Sequence, residues 1–258
     1  MLRDVVAAAY VGIDLAWGQR ARTGIARLDG HGRLLDCRSV FTDEDVVAAF
    51  DDAAPDVVVA VDAPLLVSNP TGQRACERRV GQLFGARGAS AHTSNLGRPH
   101  MSPPRAARLA EHMGWSTDPA TVPASGTPTC IEVYPHPAML VLFGLPRVLT
   151  YKNKPGRSFE HLREQHLLLV DHVARVCEEP LRLTGSADWA ALVAGLATAT
   201  RKVDLRVVED QVDAVLCAYL AWLWAQHPER MLVLPEDRSP ATDDGFIVVP
   251  RPPGADGL

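Results

Sequence analysis

The sequence has no CxxC pair, no excess of basic residues and no apolar run long enough to cross a bilayer. Each absence removes a class of function. The five cysteines, Cys37, Cys76, Cys130, Cys177 and Cys217, are odd in number and widely spaced. With no CxxC pair, this pattern fits reduced, mostly buried side chains in a reducing cytoplasm. His92, His100 and His112 also lack the tight spacing of zinc ligands. The net charge of −5 argues against a broad basic surface and tight, sequence-independent nucleic-acid binding. A metal-dependent nuclease would offset its acids with bound cations, so the charge weakens that class without removing it. The longest apolar helical run, Ala214 to Ala225, falls short of the roughly 20 residues that span a bilayer. The apolar stretch Val5 to Ile13 is bracketed by Asp4 and Asp14 and lacks a small-residue cleavage site, so it reads as a first strand, not a signal peptide. The expectation is a soluble cytoplasmic protein without a membrane partner; a homodimer is left open. Gly85-x-x-Gly88 follows no strand and is not a dinucleotide motif.

What the chain does contain has a clear rhythm. Tyr10 to Ala16, Thr23 to Leu28 and Leu34 to Phe41 read as three short strands joined by turns, an antiparallel meander. Thr42-Asp43-Glu44-Asp45 supplies an N-cap and an acidic first turn for a helix to about Asp52, broken by Pro55. Val57 to Val61 is a continuous apolar run of the buried, parallel type. Helices are expected at Gln73 to Phe84, Pro104 to His112, Pro137 to Phe143, Phe159 to Glu178, Ala187 to Ala199 and Leu205 to Trp224. The last is apolar on nearly every face and should lie between layers. Gly85 to Pro104 reads as a long exposed loop, Thr129 to Val133 as a fifth strand, and Met231 to Leu234 with Phe246 to Val249 as a terminal hairpin.

Four carboxylates occupy unusual positions in this pattern. Asp14 closes the first strand, Asp62 closes the fourth, Glu132 lies in the fifth, and Asp213 sits in the apolar helix with Asp210 three residues earlier. A carboxylate at the end of a buried strand is costly unless it is paired or binds a cation. Three strand-end acids with a helical pair on one face suggest a divalent-metal site and hydrolytic or phosphoryl chemistry. Blander readings stand beside each. Asp14 could cap the turn at Trp17-Gly18, Asp62 could N-cap a following helix, and Glu132 could pair with Arg74 or Lys152. Asp210 could be a solvated residue beside Glu209, and His136, between two prolines, a structural hydrogen bonder.

The order of strands, helix, strand, helical insertion, strand and late acid-bearing helix resembles the ribonuclease-H-like fold, whose metal ligands fall at corresponding places. Gly12-Ile13-Asp14, Val61-Asp62-Ala63-Pro64-Leu65, Arg74-x-Cys76-Glu77, Glu132-Val133-Tyr134-Pro135-His136, Tyr151-Lys152, Asp210-x-x-Asp213-Ala214 and Gly245-Phe246-Ile247-x-x-Pro250 occur in that order. Together they resemble domain-of-unknown-function family 429, whose members are inferred to be ribonuclease-H-like nucleases. The Asp-x-x-Asp-Ala element is similar to the last helix of Holliday-junction resolvases. The resemblance implies an α/β fold: a mixed five-stranded sheet, three antiparallel strands then parallel ones, flanked by helices, with helical insertions and a C-terminal hairpin. It implies one domain over residues 1–258, with insertions at 66–128 and 137–204.

It further implies a nuclease in which Asp14, Asp62 and Asp213 hold Mg²⁺ or Mn²⁺, with Asp210 or Glu132 completing a shell. The substrate would be a nucleic acid of unspecified type. Arg74, Lys152 and Lys154 are candidate phosphate contacts, and His136 could assist proton transfer. Two other classes compete. Gly12-x-Asp14-x-Ala16-x-Gly18 partly matches the phosphate loop of actin- and sugar-kinase-like phosphotransferases and ATPases, although the chain is too short for their two domains. A non-catalytic binding module on the same fold is the third.

Overall fold

A computed structural model describes residues 10–18, 21–50, 56–123, 125–176, 183, 185–237 and 244–254. Asp52, Pro55, Cys177 and Glu178, which entered the expectations above, lie outside the described residues.

Five strands form one mixed sheet: β1 (Tyr10–Asp14), β2 (Thr23–Leu28), β3 (Leu34–Val40), β4 (Val58–Val61) and β5 (Thr129–Glu132). Their order is β3-β2-β1-β4-β5. β1 pairs antiparallel with β2, and β2 with β3, whereas β4 lies parallel to both β1 and β5. β4 is buried at every position, as its apolar run requires of a central parallel strand. The arrangement is the α/β, mixed five-stranded sheet expected of the ribonuclease-H-like pattern. The hairpin of β6 (Met231–Leu234) and β7 (Ile247–Pro250) forms a separate two-stranded antiparallel sheet.

Among the described residues there are seven α-helices: α1 (Asp43–Ala48), α2 (Ala75–Phe84), α3 (Arg105–Met113), α4 (Pro135–Leu142), α5 (Phe159–Val176), α6 (Ala187–Thr198) and α7 (Lys202–Gln226). Thr42 caps α1 with the capping box its acidic first turn announces. No helix among the described residues is long and apolar enough to cross a membrane. Cys37, Cys76, Cys130 and Cys217 are free and buried.

α7 fixes the layer geometry. Its residues from Val212 to Ala221 are all buried. It lies so close to the sheet that a Cβ on Gly12 would stand 2.0 Å from the Ala214 carbonyl oxygen and 2.1 Å from the Ala218 nitrogen. A Cβ on Gly24 would meet the Asp210 carbonyl oxygen at 1.9 Å. Glycines on the strands and small residues on the helix therefore let two backbones approach more closely than any side chain would permit. This close approach brings the acids of α7 down onto the ends of β1 and β4.

Candidate acid-cluster site

The site is assembled at the carboxyl ends of β1 and β4. In these parallel strands Ile13 stands beside Val61, and the Asp62 amide donates to the Ile13 carbonyl at 2.8 Å. Asp14 and Asp62 are thus neighbours one step beyond the paired residues. Gly12 and Gly24 face α7, and Gly24 is the antiparallel partner of Asp14. The two-residue period of a strand then sets Asp14 and Asp62 on the α7 face. Asp213 meets them from the helix, fully buried.

Among the described residues one cation, Lys152, is common to the whole group. Lys152, in the segment between α4 and α5, holds its ammonium 2.5 Å from Asp213 Oδ2 and 3.3 Å from Glu209 Oε1. It is one of only three lysines in the chain. The buried Tyr151 hydroxyl donates to the Asp213 carboxylate, at 2.9 Å to Oδ1 and 3.1 Å to Oδ2. Neither Asp14 nor Asp62, both half-buried, accepts a side-chain hydrogen bond from any described residue. Among the described residues no group donates to their lone pairs.

Electrostatics follow from this shortage of positive charge. Burial pushes Asp14 well above the usual carboxylate range; Lys152 opposes the shift, while Asp213, Asp62 and Asp210 add to it. Burial likewise raises Asp62 to about 7, against the pull of Lys152. Glu209 rises to about 7 and Asp210 to about 6, each through burial first, with Lys152 again opposing. Burial works against the Lys152 ammonium, but Asp213, Tyr151, Asp14 and Glu209 override it and hold the lysine charged. Lys152 is the cation common to these acids, and their raised positions show that it does not offset burial and mutual repulsion.

The residues singled out in the sequence do not all meet here. Asp14, Asp62, Asp213, Asp210 and Lys152 belong to one electrostatic group. Glu132 stands beside Val61 in the parallel pair, so it points to the opposite sheet face. There its carboxylate is filled by Arg74, through Nη2–Oε1 at 2.5 Å and Nη1–Oε2 at 2.8 Å, and by the Leu65 amide at 3.0 Å. The expectation that Glu132 helps complete a metal shell is corrected: it is an ion-pair partner. Arg74 is corrected with it. It is 1 % exposed, and it also reaches Glu77 Oε1 at 2.9 Å and the Leu66 carbonyl at 3.0 Å, leaving nothing for a phosphate. The Asp62 helix-cap reading also falls, because the residues between Asp62 and α2 are not helical.

Lys154 is exposed, and its charge acts on His136. His136 shares a 3.0 Å hydrogen bond through Nδ1 with the Tyr134 hydroxyl, which donates to the Ser90 carbonyl. Its Nε2 is buried without a partner, and burial together with the Lys152 charge lowers its pKa to about 4. It is a neutral imidazole with one bare nitrogen.

Five contributors were not assigned roles from sequence. Glu209 ion-pairs with Lys152, and Tyr151 holds Asp213. Arg22 and Arg206 act electrostatically on Asp210. Arg105, 3 % exposed at the start of α3, donates to the Ala16 carbonyl at 2.8 Å and to Thr23 Oγ1 at 3.2 Å, and pairs with Asp43 at 2.6 Å. It pins the loop that follows Asp14. The segment Tyr151-Lys152 was the available signal, since an adjacent phenol and ammonium suit a carboxylate partner.

Among the described residues no group of three or more His, Cys, Asp or Glu side chains is arranged to hold a metal ion. The donor chemistry nevertheless suits a hard divalent cation: carboxylate oxygens only, two of them uncommitted, with excess negative charge. The Lys152 ammonium holds Asp213, and the fit requires these two to part. Comparison with curated proteins and with solved structures found no match. A family model does match, over residues 12–239, from the strand bearing Asp14 past the helix bearing Asp213 to beyond β6. The chain that builds this cluster therefore belongs to the family described as "Protein of unknown function (DUF429)".

Proposed function

We propose that the protein hydrolyses nucleic-acid phosphodiesters with a divalent metal ion held by Asp14, Asp62 and Asp213. The observation that carries this reading is the pair of uncommitted carboxylates, Asp14 and Asp62, facing a buried Asp213 across a single shared ammonium. A bound Mg²⁺ or Mn²⁺ would supply an activated water and neutralise charge on the phosphate.

The chain's own groups divide the remaining work. Asp14 and Asp62 offer oxygens fixed by rigid strand ends, and Tyr151 orients Asp213. Lys152, once released from Asp213, presents its charge at the same point and can meet a phosphate oxygen. Asp210, carrying its carboxylate at the edge of the cluster, supports it through water. Lys154, Arg22 and Arg206 provide cations on the periphery, and the bare Nε2 of His136 can accept a proton.

The test is Mn²⁺ titration by calorimetry on the wild type and Asp14→Asn, followed by hydrolysis assays on single- and double-stranded DNA and RNA. Metal binding lost in Asp14→Asn, with metal-dependent cleavage in the wild type, is the expected result. No Mn²⁺ binding at millimolar concentration would overturn the reading. ATP turnover indifferent to Asp213→Asn would point to the phosphotransferase class instead.

A further inference from the structure

Trp17 is set apart from the buried tryptophans. Of the chain's five tryptophans, Trp115, Trp189 and Trp224 are buried, while Trp17 is 36 % exposed. It lies three residues beyond Asp14, and three residues of chain span at most about 10 Å. Its loop is not free to wander. Arg105 grips the Ala16 carbonyl, and the Ala16 amide donates to Thr23 Oγ1 at 3.2 Å. An exposed indole on a pinned loop is a preorganised surface.

A second ring completes that surface. His92, in the long segment after α2, meets Trp17 edge-on with ring centroids 6.1 Å apart and planes at 83°. His92 also acts electrostatically on His136. His136 in turn meets Tyr151 edge-on at 5.9 Å, and Tyr151 holds Asp213. Trp17 is therefore tied to the acid cluster by chain through Asp14, and its partner ring His92 acts on the imidazole that packs against Tyr151.

We propose that Trp17 and His92 form a nucleobase-stacking subsite at the mouth of the acid cluster, so that the protein takes single-stranded nucleic acid in preference to a duplex. The inference rests on the nuclease reading above and names its substrate class. A base in a duplex is stacked on both faces and cannot lie against an indole, whereas an unpaired base can. Charge points the same way. A duplex footprint needs many phosphate contacts, and the net charge of −5 does not favour them; among the described residues the cations acting around the cluster besides Lys152 are Lys154, Arg22 and Arg206. Stacking must then provide affinity that the backbone contacts lack.

The experiment measures binding by fluorescence anisotropy, with Ca²⁺ replacing Mn²⁺, to labelled single-stranded DNA, single-stranded RNA and a duplex, each of about ten nucleotides. Trp17→Ala should weaken single-strand binding about 5- to 100-fold, the range for losing one stacked base. Trp17→Phe should keep most of it, and duplex binding should not respond. The DNA and RNA arms show which sugar is preferred. Unchanged single-strand affinity in Trp17→Ala, or equal loss on the duplex, overturns the subsite while leaving the nuclease reading intact. Tight binding through Trp17 without Mn²⁺-dependent cleavage overturns the nuclease reading alone. A wild type that binds no nucleic acid overturns both. Thermal melting of each variant checks the fold, which an exposed side chain should not disturb.

Discussion

The Lys152 ammonium stands 2.5 Å from Asp213 Oδ2, and through this pair the chain supplies its own counter-ion to a buried acid cluster. Asp213 is fully buried, and only Lys152 and Tyr151 donate to its carboxylate among the described residues. The lysine arrives from a segment outside the sheet, so the cation can withdraw without disturbing the strands that carry Asp14 and Asp62.

Lys152→Met should therefore act in two opposite directions. Without metal it strands a buried carboxylate, which destabilises by about 3 kcal/mol. With Mn²⁺ it removes the competing ammonium and should tighten metal binding severalfold. Urea unfolding in EDTA and calorimetric titration measure the two effects. An unchanged urea midpoint would refute the account of the pair.

The pH dependence of the metal-free protein has a definite sign. Asp62 and Glu209 sit at about 7 and Asp210 at about 6 in the folded chain, against about 4 for free carboxylates. Between those values the folded state holds protons that the unfolded state has released. Their stabilising contribution is complete below about pH 4 and is lost as pH rises through 7. Metal affinity must run the other way, since ligating carboxylates have to be deprotonated. Melting curves across this range, with EDTA and with Mn²⁺, should diverge. Asp62→Asn should flatten the EDTA series; a slope independent of that substitution would contradict the assignment.

Arg74 should prove structural. Arg74→Ala leaves Glu132 and Glu77 buried without their cation and should cost about 3–5 kcal/mol. Arg74→Lys should recover little, because an ammonium cannot reproduce the forked contacts to two carboxylates. If nucleic-acid binding is detected, its salt dependence should not change in either variant that remains folded. A loss of binding without loss of stability would restore Arg74 as a phosphate contact.

Gly24→Ala should couple the sheet to the site. The added methyl would press against the Asp210 carbonyl at 1.9 Å, forcing α7 outward together with Asp210 and Asp213. A drop of several degrees in Tm with weaker Mn²⁺ binding is expected. Gly18→Ala, where a Cβ meets nothing within 4 Å, is the matched control and should leave both quantities unaltered. Equal effects from the two substitutions would remove close helix–sheet approach as the cause.

Much of this was legible in the residues themselves. The apolar run of β4, the alternating short strands before it and the acidic capping box of α1 each state their structure locally, because strand period and cap chemistry are properties of a few consecutive residues. The apolar faces of Leu205 to Trp224 announced a helix lying between layers. Asp14, Asp62 and Asp213 stood out because a carboxylate at the end of a buried segment needs a reason.

Partnership was not legible, because it depends on side chains far apart in sequence. Glu132 looked like the fourth member of the set, yet the two-residue period of β5 turns it to the other sheet face, where Arg74 fills it. Arg74, forked and basic, looked like a phosphate contact until burial against two glutamates removed it from solvent. Glu209 drew no role until Lys152 reached it from another segment. The sequence alone determined the elements, their order and the acids that end them, since these follow from local pattern and from the cost of burying charge. Only the tertiary structure decided which acids share an ammonium, which share an arginine and which keep open lone pairs. Those choices depend on sheet face and on distances of a few ångströms between segments about 60 residues apart, such as Lys152 and Asp213 at a separation of 61.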